Sequence, residues 1–157
     1  RQNIVIGGAA GAVPVLVGWA AVQNSLAWEP FILFMAIFLW TPPHFWALAI
    51  HRREEYASVG IPMLPVTHGV GFTALHILLY TILMFLITLM PFATHMSGAI
   101  YLVGAVVLGV IFLYWSIEIM RGQNVNAPMK TFKYSITYLL VLFIIMLVDH
   151  WLLGLLI

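Results

Sequence analysis

Long apolar runs separated by short polar connectors dominate the pattern of this 157-residue chain. Five of the runs are about 20 residues long, the length that an α-helix needs to cross the hydrocarbon core of a bilayer. They predict transmembrane helices at residues 4–22, 30–50, 71–92, 98–117 and 134–155. The predicted fold class is therefore an all-α integral membrane protein, with residues 1–157 as a single helical domain fragment.

Composition agrees with this class. Hydrophobic residues make up 64% of the chain and charged residues 7%, whereas an ordinary soluble domain has about 25% charged residues. No basic patch is large enough to follow a phosphate backbone, which argues against nucleic acid as a partner. The chain contains no cysteine, so disulfides, thiolate metal sites and cysteine nucleophiles are excluded. Because it begins at Arg1 rather than Met, we take it to be a piece of a longer protein that lacks its N-terminal helices.

The cationic side chains fall at alternate ends of the predicted helices. They precede the first span, or lie between the second and third or the fourth and fifth: Arg1, Arg52, Arg53, Arg121, Lys130 and Lys133. In an alternating bundle these ends meet on one side of the membrane, which the positive-inside rule assigns to the cytoplasm. The polar segment 51–70 is expected on the same side.

The second span carries the least usual side chains. Pro42 and Pro43 each remove a backbone donor, which predicts a kink or break near residues 38–42 and a cavity open to the basic side. A purely structural bend explains them equally well. If helix resumes beyond them, a polar stripe follows one face: Trp40, His44, His51 and Glu55. His44 is explained equally well as a histidine that hydrogen-bonds a neighbouring helix, and its two-turn separation from His51 is too large for a shared metal ion.

Charged side chains follow where this span ends. Arg52 and Arg53 either anchor the helix at the interface or bind the oxygens of a diphosphate or carboxylate. Glu54 and Glu55 either hold Mg²⁺ or pair with the arginines. The glycine and prolines of residues 60–65 predict a shaped loop rather than a disordered one.

Three weaker signals lie elsewhere. Lys130 shares the basic side and either reaches a diphosphate or is a solvated anchor. Asp149 and His150 lie near the opposite end of the last span, where we predict interfacial groups far from the chemistry. Two small-xxx-small pairs predict close helix packing: Gly7 with Gly11, and Ala105 with Gly109.

Three strings resemble a known family. QNIVIGGAAG (2–11), WTPPHFWALAI (40–50) and EEYASVGIPMLPV (54–66) are similar to the protohaem IX farnesyltransferases, or haem O synthases, of the UbiA-type intramembrane prenyltransferases. The specific match covers residues 1–70, and beyond it only the hydropathy pattern agrees. The resemblance implies a nine-helix all-α bundle of which this chain supplies the last five helices. It also implies transfer of a farnesyl group from farnesyl diphosphate to a vinyl group of haem B, with addition of water, to give haem O.

Roles for individual residues also come from the resemblance. Those expected near the chemistry are His44, His51, Glu55 and Tyr56, and those expected to bind substrate are Arg52, Arg53, Trp40, Trp46 and Lys130. Mg²⁺ is the implied cofactor, with its main aspartate motif in the missing half, and haem B is a substrate rather than a prosthetic group. Metal ligands within this chain stay open, with Glu54 or Glu55 as candidates. Gly60 stands where many relatives have the first aspartate of a second motif.

Further expectations concern place and activity. The resemblance implies the bacterial cytoplasmic membrane rather than the mitochondrial inner membrane, with the site on the cytoplasmic side. The chain by itself is expected to be inactive.

Other interpretations stay open at this point. A UbiA-type enzyme acting on an aromatic quinone precursor predicts an aspartate-rich second loop. Half of a transporter predicts that Pro42 and Pro43 mark a broken helix at a substrate site. An assembly subunit without chemistry leaves the charged cluster unexplained.

Overall fold

Five long helices and two short ones make up the computed structural model, which describes residues 2–156. They are α1 (Asn3–Gln23), α2 (Glu29–His51), α3 (Arg53–Ser58), α4 (Leu64–Thr67), α5 (Val70–Ala93), α6 (Ala99–Arg121) and α7 (Ala127–Leu156). The five long helices are long and apolar enough to cross a membrane, and the described residues contain no β-strand. The all-α membrane class predicted from the sequence is confirmed. Arg1, counted above among the cations of the basic side, lies outside the described residues.

The helices are arranged as a ring with one addition. α2, α5, α6 and α7 contact one another in that order, and α7 returns to contact α2. Within the described residues, α1 packs along α2 and along no other helix. Since α1 and α7 flank α2 without touching each other, one face of α2 is left open between them.

Two clusters of buried side chains fill the ring. The first contains Tyr101, Phe112 and Tyr138, and the Phe112 and Tyr138 rings meet edge to face with centroids 5.2 Å apart. The second, nearer the basic end, contains Trp46 and Leu64. Leu64 belongs to α4, so the loop between α2 and α5 is anchored in the core rather than lying free on the surface.

Of the kink or break predicted in the second span, the structure excludes the break. α2 is one helix through Pro42 and Pro43, and both prolines are buried. The hydroxyl of Thr41 donates to the carbonyl oxygen of Ile37 at 2.9 Å. Packing against the neighbouring helices holds the helix together where the prolines remove backbone donors. The interpretation of this chain as half of a transporter loses its broken helix.

The last two spans are longer than predicted on the basic side. α6 continues to Arg121 and α7 begins at Ala127, so most of the predicted connector 118–133 is helical. Hydropathy underestimated these spans because their ends carry Glu118, Lys130 and Lys133, whose long side chains extend into the interface while their helices stay regular. The true connector is residues 122–126.

Backbone geometry explains the shaped loop. Two residues after α3 ends at Ser58, Gly60 lies in the left-handed region at φ +70°, where a side chain is disfavoured. The amide of Ile61 donates to the Tyr56 carbonyl at 3.0 Å, and the amide of Gly60 donates to the Ala57 carbonyl at 3.2 Å. This pair of bonds is the Schellman ending of a helix. The expectation of an ordered turn is confirmed. The predicted polar stripe is not one helix face, because α2 ends at His51 and Glu55 belongs to α3.

Asp149 lies at the end of the bundle opposite the basic end, as predicted, but it is a buried helix cap, which the sequence did not predict. Its carboxylate is 1% exposed and accepts hydrogen bonds from the backbone amides of Gly98, at 2.5 Å, and Tyr101, at 3.2 Å. Gly98 precedes α6 and has no side chain with which to cap it. Asp149 of α7 therefore caps the N-terminus of α6 across the bundle, where a negative charge also interacts favourably with the helix dipole.

The two small-residue pairs differ in use. Gly109 packs against Phe85 of α5, and Ala105 is buried in the ring. Gly7 and Gly11 have no atom within 4 Å of the position a Cβ would occupy. Ala105 and Gly109 therefore make a close helix contact within this chain, whereas Gly7 and Gly11 lie along the open side of α2.

Candidate active site

The basic end of the bundle contains two adjoining hollows. The first has a volume of about 540 Å³ and is lined by Ile50, His51, Arg52, Arg53, Glu54, Glu55, Ala57 and Val70. The second, of about 430 Å³, shares His51 and Glu54 and reaches α6 and α7 at Ile119 and Pro128. The ends of α2, α5, α6 and α7 therefore meet at this end, as the alternation of charges predicted. We call these the basic-end hollows.

Charges in the hollows are only partly paired. Arg52 and Glu55 form an ion pair at 3.6 Å between two largely exposed side chains, which stabilises the fold little. Arg53 and Glu54 form no ion pair within residues 2–155. One guanidinium and one carboxylate are thus available to an incoming ligand, and the guanidinium fork matches the oxygens of a diphosphate or carboxylate.

The other predicted polar residues of this region lie at different distances from the hollows. His51 is exposed and lines both. Tyr56 is partly exposed on α3 and does not line them. Lys130 sits with its Nζ 5.5 Å from the centroid of the Trp115 ring, a cation–π contact outside both linings. Trp115 gave no signal in the sequence, because a pairing between α6 and α7 depends on their packing.

The open face of α2 forms a second candidate surface, which we call the α2 trough. On its α1 side lies a hollow of about 350 Å³, lined by Asn3, Ile4, Gly7, Gly8, Gly11, Ile37, Trp40, Thr41 and Phe45. On its α7 side lies an entirely apolar hollow of about 310 Å³, lined by Trp40, Ile136, Leu139, Leu140 and Phe143. Trp40 lines both, so its indole lies between the two halves of the trough.

His44 is buried beside Trp40, 8% exposed. Its ring stacks on the Trp40 indole with centroids 4.3 Å apart and on the Phe132 ring at 4.7 Å. Its Nδ1 lies 2.6 Å from the hydroxyl oxygen of Ser135 on α7. The Trp40 indole N–H donates to the backbone carbonyl of Ser135 at 2.9 Å. Ser135 therefore bonds both side chains. It lies 91 residues from His44 in the sequence, and no sequence pattern indicates this pairing.

The Ser135 hydroxyl lies between two partners. Its oxygen is 2.6 Å from His44 Nδ1 and 2.6 Å from the carbonyl oxygen of Phe132. Its single hydrogen goes either to the carbonyl, in which case Nδ1 donates to the hydroxyl oxygen, or to Nδ1, so the roles depend on the tautomer of the imidazole. The expectation of a histidine hydrogen-bonded to a neighbouring helix is borne out for Nδ1.

Trp46 lies apart from both surfaces. It is 3% exposed and packs edge to face on Tyr80 of α5, with centroids 5.4 Å apart. It is two residues from His44, which places it on the opposite side of α2. The structure therefore brings Trp40 to the trough, with the buried His44 stacked on it, and brings His51, Arg52, Arg53 and Glu55 to the basic-end hollows, while Trp46 is part of the core.

The part of the chain that the structure describes builds no complete metal site. No three His, Cys, Asp or Glu side chains of the described residues converge on a common point. Glu54 is the carboxylate of the hollows that lacks an arginine partner, and one carboxylate is fewer than an all-protein Mg²⁺ site requires. The described residues do not fit the ion by themselves.

Comparison with known proteins gives a consistent result. The UbiA prenyltransferase family model matches residues 1–145. A protein named protoheme IX farnesyltransferase from Stutzerimonas stutzeri is 60% identical over 152 residues, which are 97% of this chain and 51% of that protein. Proteins of the same name from Saccharophagus degradans and Marinobacter nauticus are 59% identical, over 97% and 96% of this chain and 50% of each relative. The chain thus spans about half the length of the curated relatives it matches. No solved structure matches it.

Proposed function

The chain belongs to the UbiA prenyltransferase family, and from that premise we propose that the complete protein makes haem O. In this reaction the farnesyl group of farnesyl diphosphate forms a bond to a vinyl carbon of haem B, diphosphate leaves, and water adds to the other vinyl carbon. The observation that carries the proposal is the identity of about 60%, over nearly the whole chain, with proteins named protoheme IX farnesyltransferase. That identity extends far beyond the three strings that first suggested the family.

The basic-end hollows are proposed to receive the anionic part of a substrate. Departure of diphosphate from an allylic carbon requires positive groups that stabilise the developing charge. Arg53, which has no carboxylate partner among the described residues, and Arg52, whose ion pair is exposed and exchangeable, supply two guanidinium forks. The same forks suit the propionates of haem. His51 and Glu54, which line both hollows, are proposed as supporting polar groups.

The α2 trough is proposed to hold the apolar parts of the substrates. Its walls are aliphatic and aromatic, and the Trp40 indole is available to both halves. An allylic carbocation needs a site that excludes water until the new bond has formed. It is also stabilised by the face of an aromatic ring. Closure of the trough on its open side would come from the part of the protein beyond this chain.

Mg²⁺ is proposed to be held mainly by residues beyond this chain. UbiA prenyltransferases act on diphosphates with this ion, and it would neutralise charge on the leaving group. Since the described residues build no complete site for it, the proposed contribution of this chain to the ion is confined to the Glu54 carboxylate, while the arginines would neutralise the diphosphate directly. We expect the isolated chain to be inactive for the same reason.

The setting proposed is the cytoplasmic membrane of a bacterium. The relatives named above are bacterial. The described cations Arg52, Arg53, Arg121, Lys130 and Lys133 gather at one end of the bundle, which is the cytoplasmic end by the positive-inside rule. Substrates would then enter from the cytoplasm or the inner leaflet.

A mass analysis of extracted haems tests the proposal. The full-length gene is expressed in a bacterium that lacks its own haem O synthase, and the pigments are compared with those of cells carrying the empty vector. A new haem with the added mass of one farnesyl group and one hydroxyl group is expected, because the second hydrogen of the added water leaves as a proton. Verified expression without that haem, in the presence of farnesyl diphosphate, would refute the proposal and return the aromatic quinone precursors to consideration.

A further inference from the structure

Two lysines at the basic end lie outside the surfaces described above. Lys130 and Lys133 are exposed, line neither basic-end hollow and form no ion pair within the described residues. The only charged residues of the neighbouring helix α6, Glu118 and Arg121, pair with each other at 3.3 Å and so add no net charge. Two positive charges at this edge of the bundle therefore lack an anionic partner in the part of the chain that the structure describes.

Both lysines lie at the level where lipid headgroups meet the hydrocarbon core. On α7, no Asp, Glu, Lys or Arg separates Lys133 from Asp149, and on α6 none precedes Glu118. These uncharged stretches are the parts of the two helices that a hydrocarbon core accepts. Lys130 and Lys133 therefore mark its boundary on the basic side, where long side chains extend their charged ends into the headgroup layer.

The lysines belong to a stripe that changes character along α7. Residues three and four apart are neighbours on a helix, and exposed residues at these spacings follow one another along α7: Lys130, Lys133, Thr137, Leu140 and Ile144. Leu140 is 62% and Ile144 is 49% exposed, and Leu140 also borders the α2 trough. The stripe thus runs from cationic at the basic end to apolar further into the membrane. A phospholipid has the matching order of groups, a charged headgroup followed by an apolar acyl chain.

Aromatic rings of α6 lie beside the lysines. The contact of Lys130 Nζ with the Trp115 ring, at 5.5 Å, places this lysine over the line where α6 meets α7. The Tyr114 ring, which is largely exposed, meets the Trp115 ring at 5.2 Å between centroids. Tryptophan and tyrosine are enriched where membrane proteins meet the headgroup layer. An ammonium group has three donors, so the ring contact leaves Lys130 able to bind an anion.

We propose that Lys130 and Lys133 bind the phosphate of an anionic phospholipid on the outer side of α6 and α7. Charge complementarity selects this ligand, because basic groups at the cytoplasmic edge of membrane helices attract anionic headgroups. The acyl chain would lie along the apolar part of the stripe, at Leu140 and Ile144. The inference does not depend on the proposed function, and it assigns Lys130 to a lipid rather than to the diphosphate.

Native mass spectrometry of the purified full-length protein tests the assignment. The protein is mixed with dioleoyl phosphatidylglycerol or with dioleoyl phosphatidylcholine, which differ in headgroup charge but share their acyl chains. Wild type is expected to retain phosphatidylglycerol in preference to phosphatidylcholine. Each lysine near an anionic headgroup contributes about a factor of five in affinity, so Lys130→Gln/Lys133→Gln should weaken phosphatidylglycerol binding about 25-fold and each single variant about 5-fold.

Two control variants separate a site from general charge. Arg52→Ala/Arg53→Ala removes the same number of positive charges from the same end of the bundle and should keep the preference for phosphatidylglycerol. Lys130→Arg/Lys133→Arg keeps both charges and should also keep it. The substituted side chains are exposed, so the unfolding temperature should stay close to that of wild type. If the double glutamine variant does not fold, the two single variants decide.

The possible outcomes either support or overturn the lipid assignment. A preference for phosphatidylglycerol that survives in folded Lys130→Gln/Lys133→Gln, or that the arginine variant loses equally, would overturn it. Absence of any preference in wild type would also overturn it and would leave the lysines as interface anchors. Displacement of the lipid by inorganic diphosphate, with binding of diphosphate lost in the double glutamine variant, would assign the lysines to a free phosphate and contradict the proposal.

Discussion

The two ends of the bundle hold their charged side chains in different environments. In the basic-end hollows the charged side chains are exposed, and their one ion pair among the described residues, between Arg52 and Glu55, lies in solvent. At the other end, the carboxylate of Asp149 is buried and bonded to two backbone amides of α6. Charge held in solvent costs little and is free to bind a ligand, whereas a buried charge must be fully bonded to be tolerated. The comparison fits our proposal that the basic end binds substrate, and it shows that the other end holds helices together through a buried cap.

The largest effect is expected from removing the cations of the basic-end hollows. Arg52→Ala/Arg53→Ala in the full-length protein should lower haem O formation by about 100-fold, since loss of a preorganised group that stabilises developing charge has effects of that size. The side chains are exposed, so the unfolding temperature should stay close to that of wild type. The measurement is haem O formed per milligram of purified protein, together with a thermal unfolding curve.

Lys133→Ala is the control for this variant, because it removes an exposed cation of the same end that lines neither hollow. Equal losses of activity in Lys133→Ala and in the double variant would mean that net charge, rather than the hollow, supports turnover.

The second effect is expected at the closed end. Asp149→Ala leaves two amides at the start of α6 without an acceptor, and loss of such charge-assisted bonds costs about 2–3 kcal/mol in free energy of unfolding. Thermal unfolding in detergent should therefore shift to markedly lower temperature, while haem O formed per folded molecule changes little. His150→Ala, the exposed neighbour, should unfold as wild type does. An unfolding temperature unaffected by Asp149→Ala would show that the cap is not needed.

The contact between α1 and α2 should be sensitive to a single methyl group. A Cβ on Gly8 would lie 3.0 Å from the Cβ of Thr41, so in Gly8→Ala the Thr41 side chain or the helices must shift by a few tenths of an ångström, and we expect stability to fall by about 1–2 kcal/mol. Gly154→Ala, at a position in α7 with nothing within 4 Å, is the matched control and should show only the higher helix propensity of Ala. Comparison of their unfolding temperatures tests this, and a loss in the control as large as in Gly8→Ala would show that the contact with Thr41 is not the cause.

The smallest effect is expected inside the ring. Thr81 and Ser116 join α5 to α6 through their hydroxyls, 3.0 Å apart. Such bonds between membrane helices contribute about 0.6 kcal/mol on average, so Thr81→Val should lower stability only slightly. A double-mutant cycle with Ser116→Ala measures the coupling directly. A coupling of several kcal/mol would mean that polar contacts hold this ring as strongly as the Asp149 cap does.

The sequence predicted the fold well because each span is a long apolar run and the cations alternate between helix ends. It failed where packing overrides local signals. Pro42 and Pro43 predicted a kink or a break, and α2 is not broken there. Asp149 was taken for an interfacial group, because nothing in the chain tells that the uncapped start of α6 lies beside it.

The site was predictable in part. The charged run after α2 identified the residues of the basic-end hollows, since a dense set of charges at a membrane edge is informative by itself. The partner of His44 was not predictable, because Ser135 is 91 residues away in sequence. Trp46 was grouped with Trp40 only because both are aromatic, although the two lie on different faces of α2.

A comparison of two variants tests most directly whether the basic end supports turnover and the other end supports stability. Thermal unfolding and haem O formed per folded molecule are measured for full-length Arg53→Ala and Asp149→Asn side by side. We expect Arg53→Ala to unfold as wild type does but to lose turnover, and Asp149→Asn to unfold at lower temperature but to retain turnover per folded molecule. The reverse pattern, with Asp149→Asn stable and inactive or Arg53→Ala active and unstable, would contradict the account.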